Sequence, residues 1–171
     1  LDANKSMLAA GKLSVENGAH IVTQQFLDSF LILSGSGITF GLVVAMLFAA
    51  KSKQYKALGK VAAFPAIFNV NEPVVFGFPI VMNPVMFLPF IIVPILAAII
   101  VYTSIAIGFM HPFSGVTLPW STPAIISGFM VGGWQGAFVQ VLVLATSTVV
   151  YFPFFKFQDN LAYNNELQAE K

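Results

Sequence analysis

Cysteine and arginine are both missing from this 171-residue chain. Without cysteine there is no disulfide framework, no thiolate nucleophile and no zinc–thiolate centre. Without arginine the chain lacks the planar guanidinium fork that recurs at phosphate and nucleic-acid sites. Two histidines are too few for a persuasive metal centre. Charge of either sign is scarce: 9% of residues carry one, against about 25% in an ordinary soluble domain. No nucleophile elbow, P-loop or dinucleotide fingerprint occurs. These absences argue against a cytosolic enzyme, a nucleic-acid binder and a disordered chain. They leave no expected metal or cofactor.

What is present is apolar. The hydrophobic set makes up 57% of the chain, and the mean hydropathy is +0.84. A surface built from so few charges is suited to lipid, so the expected class is an all-α integral membrane protein. Charge is also unevenly placed. Between Val61 and Phe155 the single formally charged residue is Glu72, accompanied by one histidine, His111. Three long transmembrane helices are expected, at about 26–50, 84–109 and 134–155. The first has 25 residues and would reach roughly 37 Å, enough for a hydrocarbon core of about 30 Å. Asp28 at its start can reach the headgroups. Gly35, Gly37 and Gly41 within it suit close helix packing; a break at 34–37 is the lesser reading.

The segments between these spans differ. Lys51, Lys53, Lys56 and Lys60 form a short basic connector, expected on the cytoplasmic side. Residues 61–83 contain Pro65, Pro73 and Pro79 with Asn69, Asn71, Glu72 and Asn83, and Pro84 follows. Proline removes an amide donor and clashes with the preceding turn, so one continuous helix is not expected. Residues 111–133 hold Pro112, Pro119, Pro123 and four glycines. Irregular backbone at membrane depth survives only when buried in protein or lining a wet cavity. Both segments therefore read as re-entrant pieces around a site. The N-terminal 25 residues read as polar, with a short helix near Ser6–Ala10 and a turn at Asn17-Gly18. A polar tail follows Lys156.

Glu72 is the most informative residue. A carboxylate in an apolar region costs about 2.5 kcal/mol or more, so it is normally paired, hydrated or functional. Asn69, Asn71 and Glu72 on a proline-broken backbone could bind the hydroxyls of a neutral polar ligand, or a proton; bracing a helix break is the alternative. Trp120, away from any long-span end, offers an indole face suited to a pyranose ring, though membrane tryptophans more often anchor at interfaces. Trp134, at a span start, reads as such an anchor. His111 reads as capping or interfacial and His20 as exposed. From residues alone the reading is a polytopic transporter with an intramembrane site for a neutral polar solute.

The run Asn71-Glu72-Pro73-Val74-Val75-Phe76-Gly77-Phe78-Pro79-Ile80, with Met82-Asn83-Pro84, resembles the enzyme IIC component of bacterial sugar phosphotransferase systems. The branch is that of lactose, cellobiose and diacetylchitobiose, most like its diacetylchitobiose-type members. His20-Ile21-Val22-Thr23 with 26–37, and Thr117-Leu118-Pro119-Trp120-Ser121-Thr122-Pro123, carry the same resemblance. It implies a ten-helix homodimeric transporter in the bacterial cell membrane. Residues 1–171 would be the later part of its transport half, with the N-terminal dimerisation half and an upstream site histidine lying before Leu1. It also implies that Glu72 is the catalytic carboxylate, and that Asn71, Asn83, Trp120, Ser121 and Thr122 join it in holding a disaccharide. Enzyme IIB would be the phosphoryl donor, the lipid bilayer the surroundings, and no nucleic acid a partner. A proton- or sodium-coupled secondary sugar transporter is the alternative, and a non-transporting membrane subunit a third reading. Which disaccharide is carried is not legible.

Overall fold

A computed structural model of the protein describes residues 2–78, 80, 82–113, 115 and 118–169. Pro79 and Thr117, used in the reading above, lie outside the described residues. Among the described residues every regular element is helical. Helix α1 spans Asp2–Ala9, and a 3-10 turn follows at Val15–Asn17, closed by Gly18 with a left-handed φ of 87°. The turn expected at Asn17-Gly18 is therefore present. Asn4 is fully buried and ties this region down: its Nδ2 donates to the carbonyls of His20 (2.8 Å) and Phe113 (3.0 Å), and its Oδ1 accepts from the His20 amide (2.9 Å).

The span expected at 26–50 is not one helix. A short α2 (Gln24–Phe26) runs into a π-turn at Leu27–Leu31, and α3 begins only at Phe40 and ends at Ala49. Between them Ser34, Gly35, Gly37 and Ile38 all have positive φ, between 50° and 84°. Left-handed residues cannot propagate a right-handed helix. Helix α3 has ten residues and so reaches about 15 Å, half a bilayer core. The apolar run concealed this break because hydropathy does not register backbone handedness. Gly41 does serve close packing, as expected: a Cβ there would lie 2.4 Å from the backbone of Ser147.

The basic connector is also helical. Helix α4 covers Lys53–Ile67, so three of the four lysines lie within it, and Ser52 caps it. Pro65 sits inside its last turn. Helix α5 is short, Glu72–Gly77, with Pro73 in its first turn, where no intrahelical donor is needed. Helix α6, Pro84–Ala106, matches the second expected span. Helix α7, Ile126–Ala169, contains the third but is far longer. It is kinked at Gly132 and Gly133, the latter at φ 64°, ψ −155°. The expected polar tail is therefore a continuation of helix. By length and composition α6 and α7 are fit to cross a membrane. Ile91, Ile95 and Ile99 on α6, and Phe138, Val141 and Val149 on α7, lie exposed along them.

Helix α7 packs along α3 and α6, and α4 packs on α3. The core between them holds Phe30, Met46, Phe78, Val143, Tyr151 and Phe155. Tyr55 stacks on Phe78 at 4.4 Å and meets Phe155 edge-on at 6.0 Å. The far end of α7 gains its helical order from polar contacts. Asp159 is 1% exposed and accepts from the amides of Lys51 (2.7 Å) and Ser52 (3.1 Å) and from the Ser52 hydroxyl (2.8 Å). Glu166 accepts from the amides of Lys53 (3.0 Å) and Gln54 (3.1 Å). The first amides of a helix have no intrahelical acceptor and carry its positive dipole end, so two carboxylates suit the start of α4. Asp159→Ala strands two amides and a hydroxyl at this junction. The expected loss is about 3 kcal/mol, read as a lower thermal midpoint of the full-length protein in detergent; Asp159→Asn should recover part, because one acceptor oxygen remains.

Candidate functional site

The carboxamide of Asn69 joins three segments. Helix α4 ends in a left-handed turn: the Asn69 amide donates to Ala66 (3.3 Å), that of Val70 to Pro65 (3.1 Å), and Asn69 has a φ of 63°. Asparagine is, after glycine, the usual residue for this C-terminal position. Its side chain is thereby turned outward to other elements. The Oδ1 accepts from the Ser34 amide at 2.7 Å; the Nδ2 donates to the carbonyls of Trp120 (2.7 Å) and Thr122 (2.9 Å). One side chain thus satisfies main-chain groups of the 34–38 turn and of the 118–123 loop.

Asn71 acts on the same turn. It is 7% exposed, and its Nδ2 donates to the Ser36 carbonyl (2.7 Å) and the Thr39 hydroxyl (3.2 Å). Gly35 is pressed against it: a Cβ there would lie 2.3 Å from the Asn71 side chain. Ser34, 1% exposed, has a hydroxyl without a hydrogen-bond partner among the described residues. Glu72, the next residue, is exposed at the first position of α5. Its carboxylate follows directly on a break that Asn69 and Asn71 hold from within.

The Trp120 loop is short and self-bonded. The Thr122 amide and hydroxyl both donate to the Pro119 carbonyl (3.0 and 2.7 Å). Trp120 is 69% exposed, and Ser121 beside it is half-buried. A narrow cleft here is lined by Asp28, Ser29, Asn69, Trp120, Thr122 and Ser127. Roomier cavities, lined by His111 and Pro112 with residues 14–16 or 131–133, contain none of the predicted site residues. Trp134 stands apart from Trp120, edge-on to Phe109 at 5.7 Å. His111 and His20 are both exposed.

Of the predicted residues, Asn71, Glu72, Trp120, Ser121 and Thr122 belong to segments joined through Asn69. Asn83 does not share these bonds. It caps α6, its Oδ1 accepting from the Val85 amide at 3.0 Å.

Gln140 is not among the residues the sequence points to. It is fully buried in α7; its Nε2 donates to the Ser29 carbonyl (2.6 Å) and Ser127 hydroxyl (2.9 Å), and its Oε1 accepts from the amides of Ile125 (2.5 Å) and Gly128 (2.9 Å). It therefore anchors the segment that follows the Trp120 loop. A carboxamide inside an apolar span is the signal that could have found it, since such groups pair across helices.

The fit at Gly35 is open to test. Gly35 (φ 84°) and Gly108 (φ 77°) have similar left-handed backbones, but a Cβ at Gly108 meets nothing within 4 Å. Alanine at either should cost about 1–2 kcal/mol for the backbone. Gly35→Ala should cost about 1–3 kcal/mol more for the collision with Asn71, seen as a larger drop in thermal midpoint than for Gly108→Ala. Equal drops would show that the turn does not depend on Asn71.

Comparison with known proteins gives the family. The family model for phosphotransferase system, EIIC, matches residues 1–94. The chain is 44% identical over 99% of its length to the lichenan permease IIC component of Bacillus subtilis (strain 168), of which it covers 37%. It is 42% identical over 82% of its length to the cellobiose-specific EIIC component of Geobacillus stearothermophilus, of which it covers 32%. The crystal structure of the transporter ChbC, the IIC component from the N,N'-diacetylchitobiose-specific phosphotransferase system, superimposes with a TM-score of 0.88 at 38% identity, covering 95% of this chain and 37% of that one. The chain thus spans about a third of each of these proteins, and it belongs to the EIIC family of the phosphotransferase system.

Proposed function

We propose that this chain forms the later part of the transport half of an enzyme IIC. The full-length protein then binds a disaccharide such as diacetylchitobiose or cellobiose and carries it inward, coupled to phosphorylation of its 6-hydroxyl. The carrying observation is Glu72: an exposed carboxylate, the one formal charge between Lys60 and Lys156, three residues from an asparagine bonded to the Trp120 loop. The lichenan, cellobiose and diacetylchitobiose names of its relatives support a carbohydrate of this class.

In this reading the Trp120 indole covers the apolar face of a pyranose, and Ser121, Thr122 and Asn83 offer hydroxyl or carboxamide groups around it. Asn71 holds the turn that sets the height of Glu72. The Glu72 carboxylate accepts a hydrogen bond from the sugar 6-hydroxyl and takes its proton as the oxygen attacks phosphorus. The phosphorus–sulfur bond of a phosphocysteine on enzyme IIB breaks, and the thiolate leaves on that partner. The sugar phosphate, now an anion beside Glu72, is repelled and released inward.

The apolar faces of α6 and α7 meet lipid, in a multi-pass protein of the bacterial cell membrane. The lysines of α4 favour the cytoplasmic side for that end. Residues 61–83 and 111–133 each enter and leave by one side, as re-entrant segments around the sugar. Dimer contacts belong to the half outside this chain.

Glu72→Gln keeps volume and hydrogen bonding but removes charge and base. It should abolish or sharply reduce phosphorylation-coupled uptake while the protein stays folded, as measured with radiolabelled sugar in vesicles supplied with a phosphoryl donor. Near-normal uptake would sink the role of Glu72. Uptake that needs no donor and collapses with an uncoupler would favour a secondary transporter.

Trp120→Ala should weaken disaccharide binding by about 1 kcal/mol or more, with Trp120→Phe recovering part. Trp134→Ala should leave affinity nearly unchanged. Equilibrium binding on the purified full-length protein separates the two.

A further inference from the structure

We infer that Asn69 is a positioning residue for the sugar platform: its carboxamide fixes the Trp120 loop against the Glu72 helix and the 34–38 turn. The inference rests on the reading of Trp120 as the surface that receives the sugar.

Three observations carry it. First, the carboxamide bonds main chain alone: one acceptor bond from Ser34 and two donor bonds to Trp120 and Thr122, all between 2.7 and 2.9 Å. It recognises backbone placement, not side-chain identity, which is what registration of one segment on another requires. Second, the bonds to the loop straddle Ser121, at Trp120 and at Thr122, so the loop is held against both sliding and rolling. Third, the origin of the side chain is itself fixed. Asn69 occupies the left-handed position that closes α4, and Glu72 opens α5 three residues later. Displacement of the loop is thus referred directly to the backbone that carries the carboxylate. The exposed indole makes no ring contact of its own among the described residues, so its placement comes from this backbone.

The backbone conformation selects the informative variant. Glycine adopts a φ of 63° freely, so Asn69→Gly preserves the end of α4 and removes only the carboxamide. Asn69→Asp keeps the acceptor for the Ser34 amide but turns a second oxygen toward two carbonyls, so it should push the loop away.

The experiment is a double-mutant cycle on the full-length protein, with cellobiose and N,N'-diacetylchitobiose as probes. Asn69→Gly should weaken binding about tenfold when Trp120 is present, and less than twofold in the Trp120→Ala background. Asn69→Asp should weaken it at least as much as Asn69→Gly. A merely structural role would give the same factor in both backgrounds. Loop placement is read separately, without sugar, from a nitroxide attached at position 121 of a cysteine-free full-length protein. Its spectrum should be motionally restricted with Asn69 and sharpen in Asn69→Gly and Asn69→Asp. An unchanged spectrum, or equal losses in both backgrounds, overturns the inference. Trp120→Ala leaving the affinity for both probes untouched overturns the sugar reading instead, and the nitroxide spectrum still decides whether Asn69 holds the loop.

Discussion

Every main-chain polar group that leaves a helix in an apolar medium must find a partner inside the protein, and this requirement organises the whole chain. The helices are interrupted at 32–38, 68–71, 118–125 and 132–133, and each interruption exposes amides and carbonyls. Few charges are at hand. Carboxamides and hydroxyls answer instead: Asn4, Asn69, Asn71, Gln140, Ser147 and Tyr151 each reach a backbone group far away in sequence. Ser147 donates to Ile38 and accepts from the Gly41 amide, while Tyr151 donates to Gly37. The broken turn is thus held from α7 on one side and from Asn69 and Asn71 on the other. Replacing any of these by an apolar residue would leave a buried polar group at a cost of about 1–3 kcal/mol, out of a marginal total.

The same economy explains why Glu72 can remain exposed and unspent. Neutral amides can fill the internal valences without bringing a charge into the core. The carboxylates at the other end of α7, Asp159 and Glu166, are spent on amides at the start of α4. Lys5 and Asp2 form a peripheral ion pair at 4.0 Å. Electrostatics here acts through dipoles and single charges, and among the described residues Glu72 has no ion-pair partner.

Much of this was legible in the sequence, and the failures have physical causes. Helix α6 follows from an uncharged run of the right length, and the Asn-Glu-Pro break follows from Pro73 and a lone carboxylate. The interruption at 34–38 was underweighted because serine and glycine serve both close packing and left-handed turns, and Ile38 at φ 50° gives no compositional signal. The lysines at 53–60 read as a loop by charge density, whereas the Ser52 cap opens a helix there. The last residues looked like a tail because Asp159 and Glu166 find their partners more than a hundred residues away. Asn69 was seen as part of a polar cluster, but its role depends on a left-handed backbone and on two distant loops. Such roles are properties of the assembled chain.

Helix α7 past its kink runs from Trp134 to Ala169, so it is about 54 Å long, well beyond a hydrocarbon core of about 30 Å. Gln140 grips the loop-bearing segment near one end, and Asp159 grips the start of α4 about 28 Å further along. A rod held at two points transmits displacement as a lever. Movement of the segment around residues 125–128 must therefore carry the junction at Lys51 and Ser52 with it, unless the rod bends. It has one weak point between the grips, Pro153, where an intrahelical donor is missing. Any coupling of these two grips along α7 runs through the turn around Pro153.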